Sequence, residues 1–439
     1  MRASQNEKFT RSGPGTVLGR LLRQYWQPAA LCRELEGGRP VRPVNLLGER
    51  LVLFRDDAGE LGLIDRHCAH RGADLCFGRR EDGGLRCPFH GWLFDRTGQC
   101  LEQPAEPEDS IFCERIRLTS YPVVERNGIV FAWMGEGSPP PLPTLDSLIA
   151  PEAYTFAFKG LIECNWLQAL EVGIDPAHAS FLHRFIEDEN PDESYGRQFR
   201  DATTGSELPV TRVLRDFPRP EIRAELTDYG VRLISLRRID DGAVHVRVTN
   251  QVFPQAIVIP MSREMTITQW HVPVDDTHCY WYAIFTSYGK PVDKEKMHEQ
   301  RLELYELPDY VPRINRRNDY GYDPQEQLTR TFTGMGEDIN VHDQWAVESQ
   351  GAIQDRTKEH LGRSDIGIVT YRRLLQRSLD ALENGECLPA RDARGEPLPI
   401  DGPTSVDVIL RPEAWEEEWE ESANALRLRA DWFLAGREL

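Results

Sequence analysis

Alternation of apolar and polar residues dominates the first third of the chain, with turn-forming residues between the runs. Ahead of it, residues 15–35 have a helical pattern that predicts a short amphipathic helix ending before Pro28. The strand-like runs are 42–66, 121–124 and 129–133. Because Asp56, Asp57 and Gly59 interrupt the longest run, we expect β-hairpins there.

A Gly/Pro-rich stretch at 135–147 predicts a domain boundary. Beyond it, 161–186 has helical periodicity, and the polar, proline-broken 187–223 predicts a surface excursion. Four strand-like segments then follow with short turns, which predicts an antiparallel meander: 231–239, 244–253, 264–274 and 279–288. Helices are expected at 293–306, 338–350, 366–384 and 411–433, and an irregular segment at 307–330.

This order of elements predicts an α+β chain. We expect an N-terminal helical segment, a small all-β domain, and a larger domain with one antiparallel sheet covered by helices. The expected bounds are 1–40, 41–140 and 141–439.

Composition narrows the class of protein. The 439 residues include 52 Lys and Arg against 71 Asp and Glu, a net charge of −19, which argues against nucleic acid or an anionic membrane as the main partner. The sequence contains no run of about 18 apolar residues, so no membrane span is predicted. Its N-terminus has no apolar region of the kind found in secretory signals. Nine cysteines at this low density favour metal ligation in a cytoplasmic protein over a disulfide scaffold.

Two Cys/His pairs form the first candidate site. Cys68 and His70 are followed, after sixteen residues, by Cys87 and His90. A structural zinc finger usually groups Cys with Cys and His with His, whereas here each pair supplies one of each. The pattern therefore favours a two-iron cluster with two thiolate and two imidazole ligands, and zinc is the alternative.

The sequence around these pairs resembles the Rieske [2Fe-2S] domain. Its motif is matched here by Cys68, His70, Arg71, Gly72, Cys87, Pro88, His90, Gly91 and Trp92. The resemblance implies that Cys68, His70, Cys87 and His90 bind the cluster. His67 adjoins the motif without a matching role, so we expect it to be structural.

Asp175, His178 and His183 form the second candidate site. Five residues of α-helix turn about 500°, so both histidines reach one metal only if the helix breaks or bulges. Two histidines and one carboxylate are the ligands of non-heme Fe(II) sites that leave positions open for O2 and substrate.

This segment resembles the catalytic domain of the Rieske non-heme iron oxygenases, for which a helix-grip (START-like) fold is implied. The resemblance implies that His178 and His183 bind iron and that Asp175 bridges an iron histidine to a cluster histidine of a neighbouring subunit. The family's ligand Asp precedes a Glu by five residues, as Asp343 precedes Glu348. Asp343 is therefore the expected third ligand, Asp338 is the second choice, and Glu337 is a further candidate. For His342 we expect a satisfied neighbour, and for Asn165 and Trp166 either a supporting role or a packed helix start.

The opening of the chain and residues 351–375 resemble the phthalate 4,5-dioxygenase branch of this family. The resemblance implies a homotrimeric terminal oxygenase that takes electrons from an NAD(P)H-dependent flavin and iron–sulfur reductase and uses O2 on an aromatic, carboxylated substrate. A monooxygenase that hydroxylates or O/N-demethylates shares every ligand and remains the alternative. An electron carrier without active iron and a zinc-binding module are alternatives of a different class.

Arginines are the candidates for binding a substrate carboxylate. Four lie on predicted strands: Arg232, Arg237, Arg238 and Arg247. For Arg247 we expect a solvated strand face, with a substrate contact as the alternative. Arg313, Arg316 and Arg317 are expected on a surface loop within 307–330.

Overall fold

The computed structural model describes residues 1–186, 204, 206–239, 242–391, 398 and 400–435. It divides into a larger unit (1–11, 141–271 and 276–439) and a smaller unit (12–140 and 272–275). The first part of the predicted surface excursion, residues 187–203, lies outside the described residues. Helix α1, Ala3–Thr10, opens the chain and belongs to the larger unit.

The smaller unit is built mainly of short antiparallel strands. Its elements are α2 (Val17–Leu22), β1 (Gln27–Leu31), β2 (Val41–Leu46), β3 (Glu49–Arg55), β4 (Leu61–Asp65), β5 (Arg79–Glu81), β6 (Gly84–Arg86), β7 (Leu93–Asp95), β8 (Cys100–Glu102), β9 (Val123–Arg126) and β10 (Ile129–Ala132). They form three sheets in the orders β1-β10-β9, β2-β3-β4 and β5-β6-β7-β8. The predicted hairpins and both short strands are confirmed.

The predicted helix over 15–35 is shorter than expected. It ends at Leu22, and Gln27–Leu31 instead pairs with β10 at the edge of its sheet. Pro28 lies beside a register irregularity of this edge strand, where a proline costs no ladder hydrogen bond. The apolar residues of 27–31 are therefore explained by burial in a strand rather than by a helical face.

The larger unit contains one eight-stranded antiparallel sheet with helices around it. The strands of this sheet are β11 (Thr155–Ile162), β12 (Glu221–Leu226), β13 (Gly230–Arg238), β14 (Val244–Val252), β15 (Ala256–Ser262), β16 (Met265–Pro273), β17 (Cys279–Ser287) and β20 (Val406–Leu410). A separate small hairpin is formed by β18 (Tyr305–Glu306) and β19 (Val311–Pro312). Its helices after α1 are α3 (Asp146–Ile149), α4 (Trp166–Gly173), α5 (Val210–Asp216), α6 (Lys294–Leu304), α7 (Pro324–Thr329), α8 (Ile339–Glu348), α9 (Ile366–Asn384), α10 (Trp415–Leu428) and α11 (Asp431–Ala435).

The sheet order is β11-β17-β16-β15-β14-β13-β12. The predicted meander supplies four of these strands, and β15 fits between two of them where no strand was expected. Along β14 the pairing changes partner, because residues 244–248 pair with β20 and residues 250–252 pair with β15. The late segment 406–410 is thereby placed in the middle of the sheet.

Both faces of β14 are covered. Val244, Val246 and Val248 pack in a core cluster with Trp415 and Trp419 of α10. His245, Arg247 and Thr249 lie on the opposite face, as the alternation predicts. On this second face, Arg247 and Thr249 line the cavity that contains the candidate site.

Two helical expectations are corrected. The segment 161–186 is helical only over Trp166–Gly173, with a short 3-10 turn at His178–Ser180. The segment 307–330, expected to be irregular, contains a 3-10 turn at Arg316–Gly321 and helix α7, which begins at Pro324 after the cap residue Asp323. Helices α6, α8 and α9 agree with the predictions, and the predicted helix 411–433 is divided between α10 and α11.

Candidate metal centres

Two loops of the smaller unit have the same backbone turn. In the first, the Cys68 carbonyl accepts from Gly72 N at 2.8 Å, and in the second, the Cys87 carbonyl accepts from Gly91 N at 2.9 Å. Gly72 and Gly91 have φ of +74° and +77°, a conformation that costs glycine little. The repeated turn presents a Cys and a His from each loop.

In these two loops the cysteine side chains are buried, and the histidine side chains lie next to each other. Cys68 and Cys87 are buried, at 3% and 2% exposure, and burial together with the nearby Cys87 raises the pKa of the Cys68 thiol to about 11. His70 and His90 lie with ring centroids 4.4 Å apart, and Trp92 stacks on His70 at 4.5 Å. Two adjacent thiols and two adjacent imidazoles fit the donor set of a Rieske cluster.

The second site begins where α4 ends. After Gly173 the chain turns, and the Asp175 Oδ1 accepts from Ala177 N at 2.9 Å, which starts a new short turn. The predicted break in the helix is therefore confirmed. It lets His178 and His183, five residues apart, face each other with their Nε2 atoms 3.2 Å apart.

Asp343 completes the group from α8. Its Oδ1 lies 3.2 Å from His183 Nε2 and 3.8 Å from His178 Nε2. Ligands about 2.1 Å from a shared metal lie about 3 Å from one another, so these spacings fit a single ion. The Oδ1 atom is buried and makes no hydrogen bond within the described residues, as expected of an atom reserved for a metal. Among those residues this is the group of three ligating side chains that fits one ion.

The Nδ1 atoms of His178 and His183 contact other groups, which leaves both Nε2 atoms directed at Asp343. His178 Nδ1 contacts the Asp175 main-chain carbonyl, and the Asp175 Oδ2 lies 3.9 Å away. His342 Nε2 contacts the Gly336 carbonyl at 2.9 Å, so its Nδ1 is an acceptor that faces His183 Nδ1 at 3.5 Å. Such partners orient ligand imidazoles. His342 is thus the satisfied neighbour that was expected.

The charges of the group support metal binding. Burial, with a contribution from neighbouring His183, lowers the pKa of His178. Burial opposes ionisation of Asp343, but His183 and His178 lower the pKa of its carboxyl. Neutral imidazoles and an ionised carboxylate are the protonation states that metal binding requires.

The other carboxylates near Asp343 have different partners. Asp338 is the N-cap of α8, and its Oδ1 accepts from Asn340 N at 3.0 Å. Glu337 forms an ion pair with Arg330. Glu348, five residues after Asp343, accepts from Glu163 N at 2.9 Å and from the Tyr320 hydroxyl at 2.8 Å. The structure brings only Asp343, among the three candidates, into the group with both histidines.

A cavity of about 180 Å³ adjoins the group. Its lining is largely apolar, with Phe285, Trp281 and Ile267 among its walls. An apolar cavity of about 150 Å³ is known to hold benzene, so this one accommodates a single aromatic ring with small substituents. His178, His183 and Asp343 line the same cavity.

The expectation of a solvated face for Arg247 is wrong. Arg247 lines the cavity, and its guanidinium forms an ion pair with Asp407 and donates to the Pro260 carbonyl at 3.1 Å. His245 Nε2 lies 2.6 Å from the same carboxylate. The sheet is covered on this face, so alternation locates the side chain but does not expose it. Arg313 is exposed as expected and pairs with Glu306.

One residue of the cavity wall was not anticipated from the sequence. His271, on β16, is 4% exposed, and neither ring nitrogen has a hydrogen-bond partner within the described residues. Burial lowers the pKa of its imidazole to about 4. A lone histidine in a strand has no spacing pattern that could have indicated this position.

Comparison with known families agrees with the two-domain organisation. Residues 25–122 match the Rieske [2Fe-2S] domain, and residues 139–402 match the family described as LigXa C-terminal domain like. The chain belongs to the Rieske non-heme iron oxygenases, as the sequence motifs indicated, and it is an enzyme of that type with a [2Fe-2S] cluster and a mononuclear iron site.

The chain resembles several curated oxygenase subunits over most of its length. It is 35% identical to the phthalate 4,5-dioxygenase oxygenase subunit of Pseudomonas putida, covering 84% of each chain. It is 33% identical to the 3-chlorobenzoate-3,4-dioxygenase oxygenase subunit of Comamonas testosteroni, covering 96% of this chain and 98% of that protein. It is 32% identical to the 5,5'-dehydrodivanillate O-demethylase oxygenase subunit of Sphingobium sp., covering 88% and 82%.

Solved structures share the fold. An oxygenase–ferredoxin complex of carbazole 1,9a-dioxygenase matches with a TM-score of 0.56 at 21% identity, covering 87% of this chain and 94% of that chain. Dicamba monooxygenase bound to dicamba matches with a TM-score of 0.55 at 20% identity, covering 83% and 99%. Among the described residues, no helix has the length and apolar character needed to cross a membrane.

Proposed function

We propose that the chain is the terminal oxygenase component of a multicomponent system that hydroxylates a single-ring aromatic carboxylate. The observation that carries this proposal is the convergence of His178 Nε2, His183 Nε2 and Asp343 Oδ1 beside an apolar cavity the size of one substituted ring. The proposed organisation is an N-terminal helical segment at 1–40, a cluster domain at 41–140 and a catalytic domain at 141–439.

Seven side chains hold the metals in this proposal. Cys68 and Cys87 bind one iron of the cluster, and His70 and His90 bind the other. His178, His183 and Asp343 would bind the mononuclear iron, and all three also line the cavity. When bound, the mononuclear iron activates O2 and the cluster supplies electrons one at a time. The apolar walls exclude water and orient the ring.

Asp175 connects the two metals in this proposal. Its main-chain carbonyl orients His178, while its carboxylate, whose Oδ1 is held by Ala177 N, keeps Oδ2 available for a cluster histidine of a neighbouring subunit. Such a head-to-tail contact closes into a ring, and we propose a homotrimer.

The size of the cavity and the names of the related enzymes both support an aromatic carboxylate as the substrate. The proteins named phthalate 4,5-dioxygenase, 3-chlorobenzoate-3,4-dioxygenase and phenoxybenzoate dioxygenase support an aromatic acid as the substrate class. Within the cavity, Arg247 offers a guanidinium to a carboxylate, although it already shares its charge with Asp407.

The electron donor we propose is an NAD(P)H-dependent flavin and iron–sulfur reductase, used with or without a separate ferredoxin. The solved complexes of carbazole 1,9a-dioxygenase, in which the oxygenase is bound to a ferredoxin, support a protein donor. We propose a cytoplasmic location. It is supported by the nine cysteines, none of which forms a disulfide, because disulfides are rare in reducing compartments.

Substrate-dependent oxygen uptake tests the proposal. The full chain is supplied with NADH and a generic reductase, and a panel of phthalate isomers, halobenzoates, methoxybenzoates and neutral arenes is offered under labelled O2. A carboxylated arene that stimulates uptake and yields a cis-dihydrodiol with two labels is the expected result. Asp343→Ala is the matched control, because it removes one proposed ligand and must abolish uptake.

The other outcomes decide between the alternatives. A phenol with one label, or formaldehyde released from a methoxybenzoate, identifies a monooxygenase, a possibility favoured by the O-demethylase among the relatives. Uptake only with neutral arenes contradicts the carboxylate. Reduction of the cluster without uptake on any member of the panel, in protein that holds cluster iron only, identifies an electron carrier.

A further inference from the structure

Arg237 is one of the largest fully buried side chains in the larger unit, with 1% exposure. It forms no ion pair with a carboxylate of the described residues. Burial, together with the charge of Arg247, lowers the pKa of its guanidinium to about 10, and the charge of Asp407 acts in the opposite direction. The group therefore stays protonated at neutral pH. A buried cation without a paired anion is costly, and Nε of Arg237 has no hydrogen-bond partner within the described residues. The hydrogen bonds of its two Nη atoms therefore carry its stabilisation.

Those hydrogen bonds lead to one segment. Nη1 donates to the Ser235 hydroxyl at 2.8 Å, within the same strand. Nη2 donates to the Pro176 carbonyl and to the Ser180 hydroxyl, both at 3.2 Å. Pro176 and Ser180 lie two residues before and two residues after His178, so the guanidinium joins both sides of that histidine to strand β13.

The segment that Arg237 holds has little regular structure of its own. Helix α4 ends at Gly173, and the next helical turn is a 3-10 turn of three residues, His178–Ser180. Asp175 supplies the carbonyl that contacts His178 Nδ1, and its neighbour Pro176 supplies the carbonyl that accepts from Arg237. Strand β13 is paired with β14 along its whole length and with β12 from Val231 to Leu236, which makes it a rigid anchor.

We propose that Arg237 is a positioning residue that fixes the 176–180 segment, and through it the orientation of His178 and of the Asp175 carbonyl. The inference rests on the proposed ligand role of His178 and adds the group that supports it. Arg237 is absent from the cavity wall, whereas Ser235 and Arg247 of the same face line it. Its effect therefore falls on the metal site rather than on substrate binding.

Fe(II) affinity of the full chain, with its cluster in place, measures this role directly. The mononuclear iron is removed with a chelator, Fe(II) is added back in competition with a chromogenic chelator, and kcat and KM are measured in parallel. The variants are Arg237→Met, which removes every hydrogen bond, Arg237→Lys, which keeps the charge but reaches fewer acceptors, and Ser180→Ala, which removes one acceptor. Arg238→Met is the matched control, since Arg238 is the exposed next residue of the strand.

Loss of a group that orients a metal ligand typically lowers affinity about 10- to 100-fold. We expect a loss of this size in Arg237→Met, smaller losses in Arg237→Lys and Ser180→Ala, and none in Arg238→Met. The value of kcat should fall while KM for the aromatic substrate changes little, and the cluster spectrum should be unchanged.

The proposal stands only if Arg237→Lys and Ser180→Ala both weaken Fe(II) binding more than Arg238→Met does. Any other pattern overturns it. This comparison does not need Arg237→Met, so it holds even if that variant does not fold. A failure of the proposed function has a different signature. In that case His178→Ala binds Fe(II) as tightly as the unmodified chain, whatever the Arg237 variants show.

Discussion

His178 Nε2 and His183 Nε2 lie 3.2 Å apart, although an unbroken helix would direct side chains with this five-residue spacing to different faces. The break after α4 makes the pairing possible, because Asp175 starts a new turn through its contact with Ala177 N. The two histidines owe their position to backbone geometry that Asp175 itself supplies. Replacement of Asp175 therefore has to be conservative if it is to test electron transfer.

Asp175→Asn is such a replacement. The amide oxygen can still accept from Ala177 N, and the main-chain carbonyl that contacts His178 is retained, so both metals should stay bound. We expect turnover to fall by about 10- to 100-fold, because the ionised carboxylate no longer connects the metals. Normal turnover with reductase and O2, at full iron content, would show that Asp175 has no bridging role.

Arg247→Met tests the carboxylate contact. Loss of a charge-assisted hydrogen bond should raise KM for an aromatic carboxylate about 10-fold or more and leave KM for a neutral analogue nearly unchanged. The double variant Arg247→Met/Asp407→Asn is the control for the buried anion left behind. If the double variant restores the original KM for the carboxylate, Arg247 acts only by neutralising Asp407.

Folding stability should depend on pH through His271. Burial lowers the pKa of its imidazole to about 4, below the value of about 6.5 in an unfolded chain. Between these values the unfolded state binds a proton that the folded state does not, so His271 contributes stability above pH 6.5 that is lost as the pH falls toward 4. We expect Tm to drop less between pH 7 and pH 5 in His271→Gln than in the unmodified protein. An identical drop in both would contradict this.

Elements bounded by strong local signals were predicted closely from the sequence. Helix α8 begins after its cap Asp338, and α9 ends at Gly385, whose φ of +71° terminates the helix. Strand β15 was missed because Pro254 precedes it and Pro260 lies within it, and prolines weaken a strand assignment. Alternation along β14 correctly separated its two faces, but it could not show that Arg247 lines a cavity.

The candidate ligands were anticipated because metal sites leave spacing patterns in the chain. Spacing alone left a choice among carboxylates. Tertiary contacts support Asp343, since Asp338 caps a helix and Asp343 faces the histidines. Supporting residues leave no such pattern. His271 and the contacts of Arg237 depend on which strands become neighbours, so they could be found only once the sheet was known.

Iron content per chain tests the central claim most directly. Purified protein should hold three iron atoms per chain, two with the optical spectrum of a Rieske cluster and one that a chelator removes. His183→Ala and Asp343→Ala should each hold two with the cluster spectrum intact, while Asp338→Asn should retain all three because its side chain caps α8. Two iron atoms in the unmodified chain, or three in Asp343→Ala, would contradict the assignment, and zinc without a cluster spectrum would contradict the oxygenase itself.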